Sequence, residues 1–447
     1  MTGRHAVIRL DGVIPAKGPA RGKVYPLRYG HGHVPFSVAA DSRIRFVEPP
    51  ESLSADVSDL SRRALESPVG SDALGLLARR AKSVVVLIPD ATRAPVARRV
   101  LPEVMRSLGE AGLADAAVTV FVAAGVHAPV CEEVARSLAG DAIGPATRVV
   151  QNDSRAAGDF VCVGKTGRGT PINLNKLVAE ADLKVAISAV GFHYFAGMGG
   201  GRKMIVPGAC NYETVRANHR LSISEDGDIH PACRSGVLDG NPVHEDMLEG
   251  LRLVEGVFMV NVVVDGWGEI RDVVAGDAAL SHLEAARRAK SALEVPSGPR
   301  CDLAVASAGG YPFDQDLIQT HKSIDHAAEC VRDGGAIVAV AECSRGVGSQ
   351  TFLSWFGLGG RVALARKLVA DYQLNGQTAL SLLKKLERVK IFLVSSLARG
   401  IVQRTGMAPA RDLAEALDAA ARIVGAKPLT CILPAAWGIL PVPEGAQ

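Results

Sequence analysis

The stretch that decides the fold class is a buried strand, a helix and a second strand in direct succession. It begins with SVVVLIP at 83–89, continues with VARRVLPEVMRSLGEAG at 96–112 and ends with AAVTVFVA at 116–123. An uninterrupted β-branched run is typical of a parallel strand that is buried on both faces. A helix that connects two such strands predicts α/β layers around a mainly parallel sheet.

The alternation of strands and helices continues to the end of the chain. We expect further strands at 183–190, 257–264, 302–307, 335–341, 389–396 and 428–433, and further helices near 130–139, 173–181, 277–291, 313–331, 361–371, 377–387 and 410–424. The polar stretch 221–241 predicts a long loop of the kind that often serves as a lid.

A Pro/Gly/Ser-rich segment at 292–300 predicts a domain boundary near 295. We therefore expect two α/β domains with mainly parallel sheets, one over 1–294 and one over 295–447, the last residues of which can pack back on the first domain. Ligands of open α/β sheets bind beyond the carboxyl ends of the strands, so the active site is expected in the interdomain cleft.

Composition excludes several classes of protein. The 447 residues carry 50 basic and 47 acidic side chains, and only 4% of them are aromatic, which argues against binding to nucleic acid or to an anionic membrane. No apolar run reaches the ~18 residues that a membrane helix needs, and the first residues lack the apolar core of a signal peptide. The eight cysteines form no Cys-x-x-Cys pair. We expect a cytoplasmic protein whose partners are small molecules.

Two loops that follow predicted strands carry candidate site residues. Asp90, Thr92 and Arg93 come after the first strand. The guanidinium of Arg93 suits a carboxylate or a phosphate, although Asp90 or Thr92 can equally cap the next helix. His127 follows the second strand in a tight Gly/Pro loop, where an imidazole can act as a base or a ligand or have a purely structural role.

The third loop, GFHYFAGMGGGRKMIVPGA at 191–209, is the most informative. Its glycines at 199–201 allow the backbone to approach a ligand closely. It is not a Walker A loop, because Arg202 precedes Lys203 and no Ser or Thr follows the lysine. A neighbouring cation favours the neutral, nucleophilic form of a lysine amine. The alternative is a phosphate-binding loop in which Lys203 acts as a point charge.

Two further candidates lie on predicted helices. His219 is part of the helical stretch ETVRANHRL, and alone it would be assigned to the surface or the core. Gln319 and Lys322 are three residues apart and therefore share one face of their helix. Such a pair can hold a carboxylate and a hydroxyl, although a solvated helix face explains it equally well.

Together these blocks resemble the nickel-pincer lactate racemase family, whose members are nickel-dependent 2-hydroxyacid racemases and epimerases. The resemblance covers residues 80–420 and is most specific from His193 through Lys203 to Gly208, with His219 sixteen residues after the lysine. The other blocks that match in order and approximate spacing are Asp90-x-Thr92-Arg93, Gly125-x-His127-x-Pro129 and Tyr311-Pro312…Gln319…Lys322.

The resemblance implies a nickel pincer nucleotide, a pyridinium-3,5-bisthiocarboxylic acid mononucleotide with nickel, joined covalently to Lys203 as a thioamide. His219 corresponds to the nickel ligand, and His127 and His193 correspond to catalytic acid/bases on opposite faces of the substrate. Enzymes that build the cofactor would then be partners. The candidate residues around the cofactor are Asp90, Thr92, Arg93, Gly199, Gly200 and Gly201, and those around the substrate are Arg93, Gln319 and Lys322.

The implied chemistry suits these residue types. Deprotonation at C2 of a hydroxy acid is difficult without an electron sink, whereas transfer of hydride to the pincer leaves a planar keto acid that can be reduced from its other face. Each direction needs a base for the hydroxyl proton, which accounts for two histidines. Nitrogen and soft sulfur ligands in a square plane suit Ni(II). We therefore expect an isomerase that inverts the 2-carbon of a 2-hydroxy acid.

The sequence also departs from the family pattern. Ile318 stands where lactate-type members are expected to have an aromatic residue, and the segment CSRGVGS at 343–349 adds Arg345. We hypothesise that Arg345 binds a second carboxylate or another polar group of a substrate larger than lactate. Trp355 is a candidate for packing at the cleft, or else an ordinary core residue.

Two alternatives use the same residues differently. In the first, His127, His193 and His219 bind zinc and activate water, as in a hydrolase or a lyase, and Lys203 has no special role. In the second, the chain is a non-catalytic relative that binds a nucleotide or a metabolite. A relative of that kind should have lost one of the four key residues, yet the three histidines and Lys203 are all present.

Overall fold

The computed structural model describes residues 6–8, 24–38, 43–51, 55–91 and 94–445. Two of the candidate site residues, Thr92 and Arg93, lie outside the described residues. Within the described ranges, no helix is long and apolar enough to cross a membrane.

The strands, in chain order, are β1 (Ala6–Ile8), β2 (Val24–Tyr29), β3 (Gly32–Val38), β4 (Ile44–Phe46), β5 (Val84–Pro89), β6 (Val118–Ala123), β7 (Arg148–Gln151), β8 (Phe160–Lys165), β9 (Pro171–Asn175), β10 (Leu183–Val190), β11 (Phe192–His193), β12 (Gly197–Met198), β13 (Val257–Val264), β14 (Ile270–Asp277), β15 (Glu294–Gly298), β16 (Cys301–Ser307), β17 (Val331–Val340), β18 (Lys390–Val394), β19 (Ala408–Ala410), β20 (Thr430–Leu433) and β21 (Leu440–Pro443). The central strands of the first sheet, β5, β6, β10 and β13, are mainly apolar runs, as the sequence pattern indicates.

The helices alternate with these strands. They are α1 (Val57–Glu66), α2 (Leu74–Ala78), α3 (Ala94–Glu110), α4 (Glu132–Ala139), α5 (Lys176–Glu180), α6 (Tyr212–Arg220), α7 (Pro242–Leu251), α8 (Leu280–Leu293), α9 (Leu317–Cys330), α10 (Gln350–Ser354), α11 (Arg361–Ala370), α12 (Gly376–Arg388), α13 (Arg399–Arg404) and α14 (Leu413–Val424). Short 3₁₀ turns occur at Asp115–Ala117, Gly140–Ala142, Gly201–Met204, Trp355–Leu358 and Ala436–Gly438.

The chain divides into two compact units. We call residues 52–222 and 230–291 the lysine unit, and residues 223–229 and 292–447 with the described residues up to 51 the C-terminal unit. The sequence pattern assigns residues 1–294 to one continuous domain, whereas the described residues up to 51 belong with the C-terminal unit. The reason is that β4 extends the C-terminal sheet by pairing with β20.

The lysine unit is built on a six-stranded sheet with the strand order β14-β13-β10-β5-β6-β7. Its pairs are parallel except for β13 and β14, which are antiparallel. Every residue of the central strand β5 is buried, which agrees with its run of Val, Leu and Ile before Pro89. The expectation of a mainly parallel sheet is therefore confirmed for this unit.

The C-terminal unit contains a second six-stranded sheet with the order β19-β18-β17-β16-β20-β4, in which every pair is parallel. Its core joins Leu303 and Val338 of this sheet to Leu417 of α14 and to Phe36 of the β2–β3 hairpin. The α/β architecture in two parts is thus confirmed for both halves of the chain.

The structure contains several elements that the sequence pattern did not predict, and three of them lie beside or within predicted segments. The helix expected at 173–181 begins only at Lys176, because residues 171–175 form β9 and pair with β8. The strand β14 had not been expected. The break at 292–300 contains β15, which pairs with β21, so the last strand packs within the C-terminal unit. β9 and β14 each pair with the strand just before them, but neither is an uninterrupted apolar run, and the partner of β15 is the last strand of the chain, so local pattern did not reveal them.

Candidate active site

The candidate residues of the lysine unit lie beyond one edge of its sheet. The strands β5, β6 and β10 are parallel neighbours, so their carboxyl ends meet at the same edge. Asp90 follows β5, His127 follows β6 and His193 follows β10. The sheet therefore places three loops that are up to about a hundred residues apart in the sequence at the same edge.

His127 and Asp90 are in direct contact at this edge. The Nδ1 atom of His127 is hydrogen-bonded to the carboxylate of Asp90, and the imidazole is half-exposed. A carboxylate only accepts hydrogen bonds, so Nδ1 carries the proton and Nε2 of the neutral ring holds the lone pair. Asp90 was expected among the cofactor contacts, and its observed contact is with His127, whose tautomer it selects.

The loop that carries His127 is tied to the end of the lysine loop. The amide N–H of Gly125 donates to the carbonyl of Gly208 over 3.0 Å. The buried side chain of Asn152 donates from Nδ2 to the carbonyls of Gly125 at 3.2 Å and Cys210 at 3.0 Å. These bonds satisfy buried backbone carbonyls and fix the two loops relative to each other.

His193 lies in a two-stranded hairpin formed by β11 and β12 and is buried. The amide N–H of Ala196 donates to Nδ1 of His193 over 3.3 Å, so Nδ1 accepts and Nε2 carries the proton of the neutral ring. His193 and His127 are therefore held in opposite tautomers, one with Nε2–H and one with a lone pair on Nε2.

The ring of Phe195 contacts three candidate residues. It meets His193 edge to face with ring centroids 4.6 Å apart, and it meets His219 in the same way at 5.0 Å. The Nζ atom of Lys203 lies 5.6 Å from the centroid of the same ring. No role was predicted for Phe195 from the sequence, and the structure places it at the centre of these residues.

The polar segment 230–241 packs on this hairpin. The side chain of Asn241 donates from Nδ2 to the carbonyls of Phe195 at 3.1 Å and Val237 at 3.0 Å. Gly197 has a φ of +73°, and a Cβ at that position would lie 2.0 Å from the carbonyl oxygen of Val237. Only glycine therefore allows the segment to approach so closely, and this part of the expected lid is anchored to the hairpin.

The glycines at 200 and 201 are required by packing within the unit. Both have positive φ values, +68° and +52°. A Cβ would lie 2.3 Å from the carbonyl oxygen of Ala189 at the first position and 2.3 Å from Nδ1 of His282 at the second. The Gly201 N–H donates to the Ser188 hydroxyl over 2.7 Å. These contacts account for the two glycines without any ligand, whereas Gly199 has no comparable constraint.

Arg202, the residue before Lys203, is buried beneath the loop and hydrogen-bonds to its backbone. Its side chain is fully buried and donates to the carbonyls of Ala196 at 2.9 Å and Met198 at 3.2 Å. It also lies 2.6 Å from Nε2 of His282. Burial lowers the pKa of Arg202 to about 9. The guanidinium fork thus links the hairpin to the turn from which Lys203 projects.

His219 lies in the last turn of α6, a helix capped by the side chain of Asn211. Burial, and secondly the charge of Lys203, lower the pKa of His219 to about 3. The ring is neutral at physiological pH as a result, which is the form that binds metal ions. His219 and Lys203 therefore interact, although sixteen residues separate them in the sequence.

The C-terminal unit holds the other candidate residues. Lys322 donates from Nζ to Oε1 of Gln319 over 2.6 Å, so the expected shared face of α9 is observed. The backbone N–H of Arg345 donates to the carbonyl of Gln315 at 2.7 Å, which places its loop beside the start of the same helix. Trp355 is buried beside Gly376 at the start of α12, as expected of an ordinary core residue.

The described part of the chain contains no metal site built from three or more protein side chains. No group of three His, Cys, Asp or Glu side chains there is arranged to hold a metal ion. All eight cysteines are free, and six of them are buried.

Comparison with known proteins agrees with this architecture. A family model described as the lactate racemase N-terminal domain matches residues 29–229, and one described as the lactate racemase C-terminal domain matches residues 297–440. The chain is 30% identical over 406 residues to a lactate racemase of Thermoanaerobacterium thermosaccharolyticum, a match that covers 89% of this chain and 94% of the relative. It is 33% identical over 290 residues to a lactate racemase of Lactiplantibacillus plantarum, covering 65% and 67% of the two chains.

Solved structures give the same picture. The lactate racemase apoprotein from Thermoanaerobacterium thermosaccharolyticum superposes with a TM-score of 0.83 and 28% identity, over 94% of this chain and 100% of that one. A protein from Thermotoga maritima shares the fold with a TM-score of 0.62 and 15% identity, over 88% and 100% of the two chains. The chain therefore belongs to the lactate racemase family and is an isomerase of the racemase class.

Proposed function

We propose that the chain racemises a 2-hydroxy acid, with a nickel pincer nucleotide attached to Lys203. Lactate is the substrate named for its relatives, and it is the first compound to test. The observation that carries the proposal is the cluster around Phe195, where Lys203 and a neutral His219 lie against the same ring. A tether and a metal ligand have to be close to each other in this way.

The residues present fit such a group. His219 is the nickel ligand and Lys203 the point of attachment in the proposal. Such a group would supply its other nickel ligands itself, so His219 would be the one protein ligand that the metal needs. When bound, the cofactor supplies a reversible acceptor for hydride.

The two histidines supply the proton transfers of the proposal. His127 is oriented by Asp90 with a lone pair on Nε2, so it can accept the proton of the substrate hydroxyl. His193 directs Nε2 away from its bond with Ala196, so the protonated ring can donate from Nε2 to the oxygen of the keto acid and return to its neutral form. Inversion needs one neutral histidine as base and one protonated histidine as acid at the start of each turnover, and the two rings exchange these states when the turnover is complete.

Gln319, Lys322 and Arg345 orient the substrate in this proposal. The ammonium of Lys322, which is bonded to Gln319, suits the carboxylate at C1, and the amide suits the hydroxyl. Arg345 follows β17 in an exposed loop beside the start of α9 and binds a second carboxylate or polar group. Arg93 and Thr92 remain proposed contacts of substrate and cofactor.

The proposal also assigns a cellular setting. Enzymes that build the pincer cofactor have to act on the chain before it is active, and they are its expected partners. The proposed compartment is the cytoplasm. Family members need a cofactor, and the solved relative from Thermoanaerobacterium thermosaccharolyticum was obtained as an apoprotein.

Isotope tracing tests the proposed reaction. The chain is co-produced with pincer-building enzymes and incubated with enantiopure 2-deuterolactate and other 2-hydroxy acids in ordinary water. We expect racemisation with the deuterium retained at C2, because hydride moves without exchange with solvent. The His127→Gln and His193→Gln variants should each lose ~10²-fold or more in rate. Racemisation with loss of the label would exclude the hydride route, and no turnover of any 2-hydroxy acid would exclude the proposed function.

A further inference from the structure

We propose that Asn218 is a positioning residue for His219, and that a buried chain through Asp246 to Thr166 fixes it in that role. The inference rests on the proposed function in so far as His219 is taken as the nickel ligand. The geometry itself is independent of any cofactor, because all of its contacts lie within the lysine unit. It assigns the proton on the His219 ring to one particular nitrogen.

The first contact joins neighbours in the helix α6. Nδ1 of His219 lies 3.2 Å from Oδ1 of Asn218. An amide can face a histidine with either its oxygen or its nitrogen, and the two orientations would select opposite tautomers. The orientation of the Asn218 amide therefore decides which nitrogen of His219 is left to bind a metal.

The orientation is decided by acceptors on the other side of the amide. Nδ2 of Asn218 donates to the carboxylate oxygen Oδ2 of Asp246 at 2.8 Å and to the carbonyl of Val243 at 3.2 Å. A backbone carbonyl cannot donate, so the nitrogen has to face α7 and the oxygen has to face His219. Nδ1 of His219 consequently carries the proton, and Nε2 holds the lone pair that a metal needs.

Asp246 is in turn fixed from a third element. The hydroxyl of Thr166 donates to Oδ1 of Asp246 over 2.5 Å and accepts the amide N–H of Thr170 over 3.1 Å. Because that N–H can only donate, the hydroxyl hydrogen has to point to Asp246. The donor and the acceptor of every hydrogen bond in the chain are thus fixed, and the bonds converge on Asp246. Thr166 donates to its carboxylate from one side, and Asn218, which accepts from His219, donates to it from the other.

The polar side chains of this hydrogen-bond chain are buried, and their burial costs free energy that helix packing alone does not require. Asn218 and Asp246 are fully buried and Thr166 is 5% exposed. Buried polar groups are costly unless they are completely hydrogen-bonded, and such networks hold one arrangement. Helix packing alone would be achieved as well by apolar side chains, whereas only this polarity presents Nε2 of His219 in its metal-binding form.

The first experiment uses the apoprotein and needs no cofactor. Long-range ¹H–¹⁵N spectra of ¹⁵N-labelled protein at pH 7 report which ring nitrogen is protonated, and His219→Gln identifies the signal. We expect Nδ1–H in the unchanged protein and a shift of population to Nε2–H in Asn218→Ala. Asn261→Ala is the matched control, because Asn261 is equally buried in the same unit and bonds only to Ser281 within the described contacts. Its His219 signal should not change.

A second pair of variants applies if Asn218→Ala does not fold. Thr166→Val removes the hydroxyl that orients Asp246, whereas Thr166→Ser retains it. The valine variant should shift the tautomer population and the serine variant should restore it. An unchanged His219 tautomer in both Asn218→Ala and Thr166→Val would overturn the inference.

The metal role is tested separately on cofactor-loaded protein. Asn218→Ala should keep the mass adduct on Lys203 but bind nickel ~10–100-fold more weakly in a chelator competition, as is usual when the partner of a metal-binding histidine is lost. Equal nickel retention despite a changed tautomer would overturn the metal role of Asn218. Unmodified, nickel-free Lys203 in the unchanged protein would instead overturn the proposed function, and the tautomer result would still stand by itself.

Discussion

Phe195 meets His219 edge to face, with ring centroids 5.0 Å apart, and so links the hairpin of the lysine loop to the helix α6. The same ring lies near Nζ of Lys203. A side chain with no capacity for acid/base chemistry therefore holds the candidate tether and the candidate metal ligand together.

The Phe195→Ala variant distinguishes a role of Phe195 in holding the site from a role in the stability of the fold alone. We expect the free energy of unfolding to fall by about 3–5 kcal/mol, as for other buried phenylalanines, and nickel retention to fall as well. Phe258→Ala is the control, because Phe258 is fully buried in β13 of the same unit. Denaturant unfolding should show a similar loss of stability in both variants, whereas nickel content should fall only in Phe195→Ala. Equal nickel retention in the two would contradict a role for Phe195 in the site.

Asp90 should be necessary for the base function of His127. Asp90→Asn keeps the size of the side chain but can present an N–H to the imidazole, which would favour the wrong tautomer. We expect kcat to fall by ~10²-fold or more with little change in stability. The double variant with His127→Gln should be no worse than the single His127 variant, because the two residues act as a unit. Additive losses in steady-state kinetics would show that Asp90 acts elsewhere.

Stability should depend on pH through buried histidines outside the proposed chemistry, of which His244 and His321 are two. Burial, with the charge of Arg202 for one and Lys385 for the other, lowers the pKa values of His244 and His321 to about 3. In the unfolded chain a histidine binds its proton near pH ~6.5, so the unfolded state takes up more protons below that pH. The free energy of unfolding should therefore fall as the pH decreases from 6.5 toward 3, by up to ~1.4 kcal/mol per pH unit for each ring.

Urea unfolding of the apoprotein between pH 7.5 and 5 measures this dependence. His244→Gln should make the slope shallower, whereas His33→Gln, which changes an exposed ring of the C-terminal unit, should leave it as it is. A slope that is the same with and without His244 would show that this ring does not contribute as its burial implies.

Arg345 should set substrate selectivity. If it binds a second carboxylate, Arg345→Ala should reduce kcat/KM for a 2-hydroxy dicarboxylate by ~10–100-fold while leaving lactate nearly unchanged, because a charged hydrogen bond contributes about 1.5–3 kcal/mol. Arg366→Ala, at an exposed position of α11, is the control. An equal decrease in kcat/KM for both substrates would indicate that Arg345 binds the carboxylate that they share. An unchanged kcat/KM for both would show that Arg345 does not take part in the site.

The sequence predicted the features that follow from short-range pattern. A run such as residues 84–89 is readable as a buried parallel strand, and parallel strands bring the loops of Asp90, His127 and His193 to one edge. The i, i+3 pair of Gln319 and Lys322 was predictable from helix geometry for the same reason.

Contacts between distant segments were not predictable in this way. The hydrogen bond between Asn218 and Asp246 joins two helices, and nothing in either helix sequence indicates the partner. The same is true of β4, three residues long, whose pairing with β20 places it in the sheet of the C-terminal unit. Phe195 was visible in the motif, but its central position depends on the tertiary contact with α6.

The most direct test of the account is the mass of Lys203 in protein from its native host or co-produced with pincer-building enzymes. Intact-mass and peptide analysis should find a nucleotide adduct on Lys203 that is absent from Lys203→Ala, together with one nickel per chain. An unmodified Lys203 and no nickel under those conditions would contradict the proposed cofactor and, with it, the mechanism assigned to this site.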